Sequence, residues 1–188
     1  MANSFLLLLS EVGIHCRSRI LIVNVDVNSA SAELFRSLRS NVRFVAPSSV
    51  TNPVILVTSS INGEGKSYVA TNLAISLSLL NKKVALIGLD IRKPMLAHYL
   101  NLPSKGCVTS YLADEAYSVD DLIVKSEFDN LDILPAGAIP PNPSELLQGQ
   151  RLDELFAELR KRYDYVIIDS APVAMVSDTF LLNRVADI

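Results

Sequence analysis

Residues 54–67, VILVTSSINGEGKS, pass from four aliphatic side chains into a small, polar loop with two glycines, and end on a lysine beside a hydroxyl. That order of residues suits a phosphate. A phosphate carries negative charge and several acceptor oxygens, so exposed backbone N–H groups at a helix N-terminus bind it where glycines let the chain come close. Ser60, Asn62, Gly63, Glu64 and Gly65 supply this backbone. Lys66 would reach the β and γ phosphates of a nucleotide such as ATP, and the Ser67 hydroxyl would ligate magnesium. Tyr68 follows where a small hydroxyl residue is common, so only its backbone N–H is left for the α phosphate. Ser60 also replaces the first glycine of the pattern G-x-x-x-x-G-K-[ST], which makes the loop a deviant of that pattern.

Two carboxylates complete the candidate chemistry. Asp90 closes VALIGL and Asp169 closes YVII. Ligands of an open parallel sheet bind beyond the carboxyl ends of its strands, so both side chains are expected on the edge that carries the phosphate loop. Asp169 would hold the metal directly or through water. Asp90 would share it and would orient, or accept a proton from, the attacking group. Lys66, Asp90 and Asp169 are therefore the candidate catalytic residues, and Ser67, Asp90 and Asp169 the candidate metal ligands.

Placing these groups together requires parallel strands. Residues 54–57, 84–89, 131–134 and 165–168 form short, nearly continuous apolar runs, as in strands buried on both faces, and residues 20–25 are a weaker candidate. Helical spacing lies between them. Val69, Leu73, Leu77 and Leu80 predict a helix over 66–80, and Leu152, Leu155, Phe156 and Leu159 predict an amphipathic one. Ser118 and Asp121 make a capping-box-like start for a helix over 122–126, and Pro140-Pro141-Asn142-Pro143 is a stiff loop leading into a helix at Ser144. The alternation predicts an α/β fold of the P-loop NTPase kind, a parallel sheet flanked by helices on both faces.

The bulk properties suit one globular domain: 188 residues, 49% hydrophobic and 20% charged. A net charge of −3 gives no basic footprint, so nucleic acid is not an expected partner. Cys16 and Cys107 are far apart and lack metal-ligand spacing, which favours a reducing compartment. The apolar run at 5–9 is far short of the ~20 residues that span a bilayer, and no basic region precedes it to make a signal peptide. The chain stops directly after a helical pattern, and its C-terminal part is expected to be incomplete.

With these residues placed, the sequence resembles the bacterial tyrosine kinases attached to capsule and exopolysaccharide co-polymerases. The resemblance rests on SSINGEGKS as Walker A, ALIGLDIRKP as the family's second motif, YVIIDSAP as Walker B and LDILPAGAIPPNPSELL at 131–147. It runs over residues 29–188, with 1–28 as a lead-in segment. It implies ATP and magnesium, phosphoryl transfer to tyrosine between neighbouring subunits, and a cytoplasmic site at the inner face of the plasma membrane. The implied partners are a membrane activator segment, in cis or in trans, and a neighbour's tyrosine-rich tail. Glu33, Arg36 and Arg39 match the family's E-x-x-R-x-x-R pattern, associated with ring-like self-assembly. On a helix they form a drifting charged stripe, opposite Leu34, Phe35, Leu38 and Val42 on the core side.

Two departures keep other readings open. Gly88 stands at the first acidic position of the second motif, which points to a non-catalytic ATP-binding assembly module as one alternative. A partition-type ATPase is another, but Ile61 lies where that group carries a signature lysine.

Overall fold

The four apolar runs become parallel strands, and their order explains why both faces of each are greasy. The computed structural model describes residues 29–102, 106–174 and 178–188; the expectations on 5–9, Cys16 and 20–25 lie outside the described residues. Strands β1 (Val54–Val57), β2 (Val84–Gly88), β4 (Leu131–Leu134) and β5 (Tyr165–Asp169) run parallel, and β3 (Val124–Lys125) adds an antiparallel edge, in the order β1-β5-β2-β4-β3. The sheet is thus not purely parallel. Along β2, Ala85 and Ile87 enter one apolar cluster while Val84 and Leu86 enter the other, so every residue of the strand is buried.

One face of the sheet is covered by α1 (Ala30–Val45) and α2 (Lys66–Ser78), and the other by α6 (Gln150–Arg162) with shorter elements. Helix α1 begins at Ser29, whose Oγ accepts from the Ala32 N–H at 3.1 Å and so satisfies one orphan donor of the first turn. Its buried residues are Ala32, Phe35 and Val42, with Leu38 packed at the margin. Helix α2 is buried almost all round, including Asn72 and Ser76, because it lies between α1 and the sheet. It ends at Ser78, short of the predicted Leu80, where the chain turns into Asn81 with φ of 57°. In α6, Leu152, Leu155, Phe156 and Leu159 all face the core, as their spacing predicts.

The expectation over 118–126 is corrected. The capping box between Ser118 and Asp121 is present, yet it opens a 3₁₀ turn over Val119–Leu122. The chain then extends, and Val124 pairs with Ile133 at the sheet edge. Elsewhere, α3 (Leu96–Tyr99), α4 (Val108–Ala113) and α5 (Pro143–Gln148) are short connectors, and α7 (Asp178–Leu181) follows β5.

Candidate active site

The phosphate loop joins β1 to α2, and its shape is set by two glycines. Gly63 and Gly65 hold φ of 87° and 93°, and no atom lies within 4 Å of where a Cβ would sit on either. The space beside the loop backbone is open to a ligand. Gly65 is the N-cap of α2 and offers no side-chain cap, so the first N–H groups of that helix keep the orphan status usual for a helix start. Ser60 and Ile61 are different: their N–H groups donate to the Glu64 carboxylate at 2.7 and 3.1 Å. Tyr68 points away from the loop mouth, is buried at 6% exposure, and packs its ring 5.7 Å from that of Phe35.

Parallel pairing brings the carboxylates to this rim. Asp169 pairs with Val57 on one side and Gly88 on the other, and its carbonyl accepts from the Leu89 and Asp90 N–H groups at 2.8 and 3.1 Å. Both aspartates therefore lie at the same end of adjacent strands as the loop. Lys66 Nζ sits 3.7 Å from Asp90 Oδ2, and both side chains are 11% exposed. The other Asp90 oxygen accepts the Lys93 N–H at 3.0 Å, which fixes the carboxylate's orientation.

Asp169 is the deepest of the group, at 3% exposure. Burial pushes its carboxyl up to about 6; the Ser67 hydroxyl bonded to it and the Lys66 charge pull the other way, and Asp90 adds to the rise. Its Oδ1 is buried without a hydrogen-bond partner among the described residues. An orphaned carboxylate oxygen is costly unless something pairs it, and a divalent cation held with the Ser67 hydroxyl would do so. The residues present thus fit magnesium and a triphosphate. Beside them opens a cavity of about 460 Å³ whose lining includes Gly88, Leu96, Cys107 and Ala136, with both aspartates at its wall.

Comparison with known proteins supplies the family. A family model described as an AAA domain matches residues 52–184. The tyrosine-protein kinase YwqD of Bacillus subtilis (strain 168) is 37% identical over 169 residues, covering 90% of this chain and 70% of that protein. Among solved structures, the chimerical protein CapA2B2 is matched with a TM-score of 0.83 at 36% identity, over 89% of this chain and 73% of its own. The chain belongs to the bacterial tyrosine-kinase family. MinD of Pyrococcus horikoshii OT3, solved with Mg-ADP, shares the fold at a TM-score of 0.60 and 24% identity, over 71% of this chain and 54% of its own.

Within this tyrosine-kinase family member, the charged stripe on α1 divides. Glu33 and Arg36 pair with each other near the surface. Arg39 instead reaches α2, where its Nη1 donates to the Ser76 carbonyl at 2.7 Å and to the Ser76 hydroxyl at 3.2 Å. It ties the two helices together within one chain.

Several residues near the site carry no local signal of their role. Arg92 donates to the buried Asp178 carboxylate at 2.5 and 3.1 Å and to Ser144 Oγ at 2.9 Å, and Ser144 Oγ donates to Asp178 at 2.7 Å. Burial alone would raise the Asp178 carboxyl, but the bonds from Arg92 and Ser144 hold it below its ordinary value. This network pins the segment after β2 to α5 and α7. Arg92 was visible in the IRKP segment; its partner 86 residues away was not.

Proposed function

We propose that the chain is an ATP-dependent protein tyrosine kinase domain that regulates capsule or exopolysaccharide synthesis and export. The observation that carries this reading is the meeting of Lys66, Ser67, Asp90 and Asp169 at the mouth of one glycine loop, in a chain related to proteins named tyrosine kinases. In this reading, backbone N–H groups from Gly63 to Ser67 cradle the triphosphate, and Lys66 leaves Asp90 to reach the β and γ phosphates. Ser67, Asp90 and Asp169 would hold magnesium, which supplies charge neutralisation on the phosphate oxygens.

The acceptor enters by the cavity beside Asp90. Its phenol oxygen bonds to the γ phosphorus, the bond from that phosphorus to the bridging oxygen breaks, and ADP departs. Asp90, released from Lys66, takes the phenol proton. The acceptor tyrosine belongs to the tail of a neighbouring subunit in a ring-like assembly, with Glu33, Arg36 and Arg39 at or behind the contact. The domain acts in the cytoplasm at the inner face of the plasma membrane, held there by an activator segment in cis or in trans. Among the described residues no helix is long and apolar enough to cross a membrane.

The test is transfer of label from γ-labelled ATP with magnesium to a tyrosine-rich tail peptide. The parent should label tyrosine and Lys66→Ala should not. A parent that binds ATP, assembles with it and labels nothing would instead favour the assembly module, the reading that Gly88 supports.

A further inference from the structure

Ser60 stands where the loop pattern carries a glycine, so the entry limb of the loop needs another means of holding its shape. Glu64 provides one. Its side chain folds back across the loop, and a single oxygen, Oε2, accepts the N–H groups of both Ser60 and Ile61, at 2.7 and 3.1 Å. On the same limb Ser59 Oγ donates to the Ile61 carbonyl at 2.8 Å. From outside, the Val173 and Ala174 N–H groups donate to the Ser59 and Ser60 carbonyls at 2.9 and 3.2 Å. Residues 59–61 are thereby held from both sides, and the chain then turns through Gly63 and Gly65 at positive φ.

A carboxylate is an odd choice for a loop that is to receive a triphosphate, because like charges repel. Its value here is as an acceptor: bonds to an ionised oxygen are roughly twice as strong as neutral ones, and this oxygen makes two. We propose that Glu64 is a positioning residue for the nucleotide, bracing the entry limb so that the N–H groups of Gly63, Gly65, Lys66 and Ser67 are preset around the phosphates. This rests on the reading that the loop holds a nucleotide. The brace acts on binding and not on the transferred group, so its loss falls on Kd and KM and not on kcat.

The experiment compares the parent, Glu64→Ala and Glu64→Gln by calorimetric titration with ATP in the presence of magnesium, steady-state kinetics, and backbone amide exchange at Ser60 and Ile61. A glutamine carbonyl can still accept from both N–H groups but brings no charge. Glu64→Ala should weaken ATP about tenfold and speed exchange at both amides, and Glu64→Gln should recover part of the affinity. Equal or tighter binding by Glu64→Ala, or equal weakening by both variants, would overturn the brace. A parent that takes up no ATP would instead overturn the nucleotide reading, and this inference with it.

Discussion

The buried carboxylate of Asp169 makes the stability of the empty protein depend on pH in an unusual direction. Its carboxyl lies at about 6 instead of the ordinary 3.8, chiefly because of burial. Over that range the native chain holds a proton that the unfolded chain has released. The contribution is full below 3.8 and is lost as pH rises through about 6, so stability falls with rising pH, the reverse of a salt-bridged aspartate. The whole effect is about 3 kcal/mol, of which about 1.4 kcal/mol falls between about pH 5 and about pH 7.5. Asp169→Asn keeps the shape and removes the titration. In EDTA and without nucleotide, unfolding free energies of parent and variant by urea titration should diverge by about 1.4 kcal/mol in the variant's favour from about pH 5 to about pH 7.5, or roughly 3–6 °C in Tm. Magnesium with ATP should reverse the advantage, because a cation favours the ionised form. A difference that is flat with pH, or that moves in the parent's favour without metal, would refute the account of Asp169 as a desolvated carboxylate.

Arg39→Ala removes a charged donor from the Ser76 carbonyl and should cost about 1–2 kcal/mol of chain stability, whereas Arg36→Ala should stay within about 0.5 kcal/mol, both read by urea titration. Sedimentation with Mg-ATP then isolates assembly: a loss of oligomer mass in Arg36→Ala at unchanged stability marks an interface residue. Gly137→Ala would place a Cβ 2.3 Å from that of Cys107 at φ of 100°, and should cost about 3 kcal/mol or more in the same titration. Gly88→Asp brings its Cβ to 3.2 Å from the Ala136 nitrogen and adds a third carboxylate beside Asp90 and Asp169. It should lower stability by about 1–2 kcal/mol and reduce the magnesium needed for half-maximal labelling about tenfold.

Much of this site was legible because burial on both faces leaves a plain mark. The runs at 54–57 and 131–134 coincide with β1 and β4, and the other two agree with β2 and β5 to one residue. Once those strands are parallel, Asp90 and Asp169 must share a rim with the loop. The rest depended on contacts between distant segments. Leu122, Ile123 and Val124 form an apolar run too short to separate helix from strand by period, and the decision for strand comes from pairing with β4. Arg39 looks like its neighbours in sequence, but the docking of α1 against α2 gives it an intrachain partner. Glu64 was expected to contribute backbone alone, since nothing in its spacing shows the side chain turning back.

The ion pair between Lys66 and Asp90 bears on the timing of catalysis. The ammonium group that faces Asp90 is also the one proposed to grip the β and γ phosphates, so the aspartate and the nucleotide compete for it. With Lys66 beside it, the proposed proton acceptor is already partly neutralised and is a poorer base toward a phenol. In the proposed mechanism, arrival of the nucleotide would draw the lysine toward the phosphates and leave the aspartate to magnesium and the incoming hydroxyl. The proposed mechanism therefore predicts a compulsory order, with ATP first and the tyrosine second, and an acceptor-analogue inhibitor should be uncompetitive against ATP.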